Sequence, residues 1–176
     1  MTYYSARDLA RSFRVVRKNT IQIANDIPES KYSDRPAPDT RTAAEVLAHV
    51  AALSRWQHRL HGVDKKTFMT FEDFGAYMQE TAAYEATLRT KPDIIHALET
   101  NGEEFASWLD GLSENTLAET VGFPPPIQPS TKSRFEMILG VKEHEMHHRG
   151  QLMLIQRLLG LVPHLTKERQ ARMARR

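Results

Sequence analysis

Apolar residues recur at steps of three and four along most of this chain. Leu9, Phe13, Val16, Ile23 and Ile27, with Thr20 in the same register, form the stripe of an amphipathic helix that Pro28 ends. Residues 28–39 hold three prolines among polar side chains and read as a loop. Thr42 and Glu45 then have the spacing of a capping box, opening a helix on which Val46, His49, Leu53, Trp56 and Leu60 share a face. A connection over 62–70 leads to helices predicted at 71–88 and 93–112, with Pro92 suited to the first turn of the second. Residues 113–132 contain Gly122, Pro124, Pro125, Pro126 and Pro129 and read as a long irregular connection. Ser133 and Glu136 form a second capping-box pattern, opening a helix to about Leu159, where Gly160 stops it. No segment shows the period-two alternation of a strand, and there is no internal repeat. The expected fold is an all-α helix bundle.

The bulk numbers sharpen this picture. A chain of 176 residues, 40% apolar and 26% charged, has the balance of one soluble globular domain, expected over 1–162. Residues 163–176 carry five basic side chains (Lys167, Arg169, Arg172, Arg175 and Arg176) against Glu168 and read as a solvated or frayed basic tail. No apolar run approaches the roughly 18 residues of a membrane span, and the first residues lack the apolar core of a signal peptide, so the expected location is the cytoplasm. The net charge of +2, with no basic helix or aromatic-basic interleaving within the bundle, argues against nucleic acid as a partner. Cysteine is absent, so any sulfur chemistry needs an outside thiol.

The last long helix presents Met137, Val141, His144, His148, Leu152, Ile155 and Leu159 on one face. At about 100° per residue, two imidazoles one turn apart should point into the bundle. A single inward histidine is ordinarily a satisfied core residue. A pair at i and i+4 can converge on one ion; without an ion, each ring needs partners for both nitrogens, and an unpaired buried polar group costs about 1–3 kcal/mol. His49 is a third inward histidine, on a separate helix. Three imidazoles leave at least one coordination position open on zinc, nickel, copper or iron. His147 lies about 100° around the helix from His148 and is a poorer candidate. His58, His61, His96 and His164 fall near helix ends or on solvent faces.

The segment His144-Glu145-Met146-His147-His148-Arg149-Gly150-Gln151, followed by a leucine-rich stretch to Gly160, resembles the last-helix signature of the DinB/YfiT-like proteins. Leu47-Ala48-His49-Val50, after a proline-containing loop, resembles that family's second-helix histidine segment. The resemblance implies an up-down-down-up four-helix bundle, with short extra helices allowed. It also implies a divalent metal on His49, His144 and His148 and often a homodimer. The expected ion is zinc or nickel, ahead of iron or manganese. Some relatives transfer bacillithiol or mycothiol, others isomerise maleylpyruvate, and many have no assigned activity.

The leading expectation is a metal-dependent transferase that activates a small-molecule thiol, or water, for attack on an electrophile. Glu145 and Arg149 are placed by helix geometry at the surface, the alternative being that they orient a ligand histidine or bind an anion. His147 and Gln151 flank the metal face as candidate entrance residues. Trp56 reads as core packing rather than a substrate platform. The rival reading is a non-catalytic, metal-stabilised helical stress or binding module. A ferritin-like carboxylate site is disfavoured, because Glu145 and His148 supply a single Glu-x-x-His.

Overall fold

A computed structural model describes residues 4–175; the basic residue Arg176 lies outside them. Four long helices form the bundle: α1 (Ala6–Asp26), α2 (Ala43–His58), α4 (Lys91–Asp110) and α6 (Arg134–Leu158), with α3 (Phe71–Glu85) laid against α2. Both predicted capping boxes are present, at Thr42/Glu45 and Ser133/Glu136. Three more, Ser5/Asp8, Thr70/Asp73 and Thr90/Asp93, start α1, α3 and α4. Each reciprocal pair satisfies backbone donors that a helix start otherwise leaves open.

Cross-helix contacts fix the directions. Lys91 donates to the Ile27 carbonyl at one end of the bundle, and Arg14 pairs with Asp110 toward the other, so α1 and α4 are antiparallel. Asn101 donates to the Ala51 carbonyl, while His58 further along α2 meets Trp108 further along α4, so these two helices run together. His61 meets Arg134, and His49 meets His144, which makes α2 and α6 antiparallel. Tyr4 on Phe135 and Arg17 on Glu145 make α1 and α6 parallel. The order is therefore up, down, down, up, with α1 and α2 each packed on both α4 and α6. Leu47, Val50, Ala51, Leu98 and Leu152 fill one half of the interior; Phe13, Phe105, Leu109 and Ile138 fill the other. Phe13 and Phe105 meet edge to face at 5.0 Å.

Several boundaries differ from the sequence reading. α2 continues past Gly62 in a π-type turn, Arg59–Val63, closed by the Asp64 amide on the Arg59 carbonyl. α3 ends at Glu85, short of Leu88. The connection at 113–132 is ordered: it contains the short α5 (Glu114–Ala118), and its strand β1 (Thr120–Gly122) pairs antiparallel with β2 (Thr131–Ser133). These three-residue strands are too short to display an alternation. Their ribbon is held from outside, because Gly122 exchanges backbone hydrogen bonds with Thr67 and Met69. A Cβ at Gly122 would stand 2.7 Å from the Phe68 ring, which explains the glycine. The tail read as solvated or frayed is solvated but helical: it forms α7 (His164–Ala174), with Lys167, Arg169, Arg172 and Arg175 exposed and His164 Nε2 meeting Asn19 on α1 at 3.2 Å. No helix among the described residues is long and apolar enough to cross a membrane.

Candidate metal centre

His49 on α2 and His144 and His148 on α6 face one point between the antiparallel helices. His144 Nε2 lies 3.0 Å from His49 Nε2 and 2.9 Å from His148 Nε2. The outer nitrogens of two rings are already committed. Glu85, from the last turn of α3, accepts from His49 Nδ1 at 2.8 Å, and Gln151 Oε1 accepts from His148 Nδ1 at 2.8 Å. An imidazole that donates through Nδ1 presents a lone pair at Nε2 when neutral. Burial, reinforced by His148 and His49, lowers the His144 pKa to about 4, and burial lowers that of His148, so these rings are neutral at pH 7.

With both Nδ1 positions donating, His49 and His148 direct lone pairs at the inner nitrogen of His144. That nitrogen carries at most one proton to share between them. The separations are shorter than twice a metal–imidazole bond of about 2.0–2.1 Å, so one small ion can reach either pair. Three imidazole nitrogen donors with carboxylate and amide support are the arrangement seen around bound divalent metals, where the outer hydrogen bond fixes the ring and raises its basicity. Taken together, the three histidines form a group able to hold an ion.

Two cavities open beside the triad. One, of about 420 Å³, is bordered by Arg41, Val46, His148, Gln151, Leu154 and Leu158. The other, of about 530 Å³, includes Arg41, Ala48 and Glu85. Arg41, just before the α2 cap, makes no hydrogen bond or ion pair among the described residues, and its charge contributes to the lowering at His144 and His148.

The family model of the DinB superfamily matches residues 12–152, which include all three histidines. The chain belongs to the DinB superfamily. Among solved structures, this DinB-superfamily chain is similar to YfiT from Bacillus subtilis, at 11% identity and TM-score 0.68, covering 92% of this chain and 91% of that one. YfiT is described as a probable metal-dependent hydrolase with an unusual four-helix bundle topology. A DinB-like protein of Bacillus subtilis, YjoA, aligns at 20% identity and TM-score 0.63, covering 86% of this chain and 91% of its own. A DinB-family member from Exiguobacterium sibiricum aligns at 22% identity and TM-score 0.62, with coverage of 91% and 94%. At these identities the likeness speaks for the fold. No curated protein matches the sequence.

Within this DinB-superfamily site, the residues flanking the triad divide into groups. Gln151 reaches it, through His148. His147 is exposed and lies behind Gln151, whose amide Nε2 is 3.2 Å from His147 Nε2. Arg149 is half-buried and bonds to none of the three histidines. Glu145 overturns the surface placement: it is 1% exposed and forms a buried ion pair with Arg17. The core stripe of α6 is centred on Ile138, Val141, Glu145, His148 and Leu152, which rotates the buried face toward Glu145 and leaves His144 half-buried. Trp56 packs on Tyr77, with ring centroids 5.8 Å apart, as core packing predicts. His61 is also misplaced by the sequence reading: the π-type turn carries it inward, and it is 3% exposed.

Glu85 was not among the sequence candidates. Tyr77 and Thr81 are the buried residues of α3, and Glu85 continues their four-residue spacing. That stripe was the available signal, but a glutamate at a helix end reads first as a solvated charge.

Proposed function

We propose that His49, His144 and His148 hold one divalent metal ion and that the protein is a metal-dependent enzyme activating a small-molecule thiol for transfer to an electrophile. The observation that carries this reading is the convergence of the three Nε2 atoms while Glu85 and Gln151 occupy two of the outer nitrogens. Imidazole donors without thiolate suit zinc or nickel, and a divalent ion held by neutral ligands acidifies a thiol or water at a remaining position. The chain has no cysteine, so the thiol comes from outside.

The protein's own residues supply binding and orientation. Glu85 and Gln151 hold two rings in the tautomer that leaves Nε2 free. Arg41 borders both cavities and offers a guanidinium to an anionic group on the incoming molecule. Val46, Leu154, Ile155 and Leu158 give the other wall an apolar surface, suited to the body of a small amphipathic substrate.

Access to the triad favours an enzyme over a metal-stabilised module without catalysis, in which the ion would only clamp α2 to α6. Hydrolysis, with water in place of the thiol, is the second reading, and the description of YfiT favours it. The deciding experiment combines elemental analysis with single-turnover assays on the metal-loaded protein, using a panel of low-molecular-weight thiols with electrophiles and a panel of esters and amides. Thiol-dependent turnover that disappears in His148→Ala supports transfer. Turnover without thiol supports hydrolysis, and full metal occupancy with no turnover in either panel supports the module.

A further inference from the structure

A second polar site lies at the other end of α2. His61 lies twelve positions beyond His49, about 18 Å of helix at 1.5 Å per residue. Here the helix widens into the π-type turn Arg59–Val63, a distortion that is uncommon inside helices and frequent at functional sites. The turn directs His61 inward against Arg134, the first residue of α6. Both are buried, at 3% and 1% exposure.

The hydrogen bonds leave a surplus of donors. Arg134 Nε donates to Glu119 at 2.8 Å, Nη1 to His61 Nδ1 at 3.0 Å, and Nη2 to the Lys65 carbonyl at 3.2 Å. Guanidinium has five N–H groups, so two remain. Since arginine only donates, His61 Nδ1 must accept. Burial, with Arg134 beside it, lowers the His61 pKa to about 3, so the neutral ring carries its proton on Nε2. That buried N–H has no acceptor among the described residues. A shielded, unpaired donor costs about 1–3 kcal/mol, and such a group needs a reason.

A cavity of about 300 Å³ adjoins these groups, bordered by His61, Lys65, Trp108, Thr116, Glu119 and Arg134. The Trp108 indole N–H adds a donor, and Gly62 lets it approach: a Cβ there would stand 2.9 Å from Trp108 Nε1. Thr116 brings a hydroxyl and Lys65 an ammonium. The one acid, Glu119, already accepts from Arg134. Donors thus arrive from α2, α4, α5 and α6, with two cations against one carboxylate. The complementary ligand accepts hydrogen bonds in several directions and carries negative charge. A carboxylate offers two oxygens on one side, whereas a phosphate group offers three or more around a centre.

We propose that this pocket binds a phosphate group, free or on a small molecule, independently of the histidine triad. The test uses the two tryptophans as reporter and control. Inorganic phosphate is titrated at constant ionic strength into the ¹⁵N-labelled full chain while the indole N–H resonances are followed, with Trp56→Phe giving the assignment. The expected result is a saturable shift of Trp108 with Trp56 unmoved, affinity about tenfold weaker in Lys65→Gln, and the same binding in His49→Ala. Lys65 is exposed, so its variant folds whatever becomes of His61→Phe, which is expected to weaken phosphate further. Acetate binding as tightly as phosphate would overturn the phosphate assignment. A linear shift common to phosphate and chloride, or an affinity unchanged in Lys65→Gln, would mean that internal water alone serves the His61 donor. Phosphate binding lost in His49→Ala would overturn the independence of the two sites.

Discussion

The carboxylate of Glu145 accepts from Arg17 Nε at 3.0 and 3.1 Å and from Nη2 at 3.0 Å, in the centre of the bundle and one residue from His144. The same guanidinium donates to the carbonyls of Leu98 on α4 and Val50 on α2. One side chain from α1 therefore ties together all four long helices. Its path depends on Gly102, where a Cβ would stand 2.8 Å from Arg17 Nη1.

Breaking one partner of a buried pair strands the other charge. Glu145→Ala and Arg17→Met should each lower the unfolding free energy by about 3–5 kcal/mol, while the double variant should lose less than the sum. Gly102→Ala should lose about 1–3 kcal/mol by crowding the guanidinium. Urea denaturation of the four variants checks this. A loss under 1 kcal/mol in both single variants would mean the pair does not hold the bundle.

Metal affinity should depend on residues that touch no metal. Glu85→Ala and Gln151→Ala are expected to weaken binding about 10–100-fold by freeing the outer nitrogens of His49 and His148. Competition with a chromophoric chelator gives the constants, and unfolding of the metal-free variants shows whether the scaffold is intact. Equal affinity in both variants would remove their orienting role.

Arg41 should act on the substrate rather than on the ion. For a carboxylate-bearing electrophile, Arg41→Gln is expected to raise KM about tenfold with kcat little changed, and to leave metal content as it was. Steady-state kinetics against the amide analogue of the same electrophile, which should show no such increase, completes the comparison.

Chelation should lower the melting temperature without unfolding the chain at 25 °C, because the interior is apolar on both sides of the triad. At metal 100-fold above its dissociation constant, the stabilisation is about 2.7 kcal/mol. Calorimetry before and after chelation measures it, and a chain that unfolds on chelation would show the ion to be a structural staple.

Acid should destabilise the protein in part through His61. Its folded pKa of about 3 lies below the ordinary 6.5, so between these values the unfolded chain binds a proton that the folded chain does not. Stability from this group is complete above pH 6.5 and falls as pH is lowered toward 3. His144 and His148, also lowered, act with the same sign. The contribution is therefore read as a difference: between pH 7 and 4.5, the metal-free His61→Gln variant should lose about 1–3 kcal/mol less than the parent in urea denaturation. Identical slopes would contradict it.

The long helices and the triad were legible because periodicity and imidazole placement are local signals. The stripe from Leu9 to Ile27 and the two capping boxes each involve residues within a turn or two, and the spacing of His144 and His148 fixes their common direction. What stayed hidden depends on partners distant in sequence. Glu145 looks like a surface charge until Arg17, on another helix, neutralises it. His61 looks like a helix-end residue until a widened turn rotates it onto Arg134. The ribbon at 120–122 and 131–133 owes its place to Phe68 and Thr67, not to any pattern of its own.

The triad draws one ring from the first half of the chain and two from near its end, His49 and His144 being 95 positions apart. Closing so long a segment carries an entropic penalty that the docking of α6 must offset before the three nitrogens can meet. On the proposed metal site, tight binding requires α6 to be docked on α2, and would therefore report that the bundle has been assembled to its last long helix.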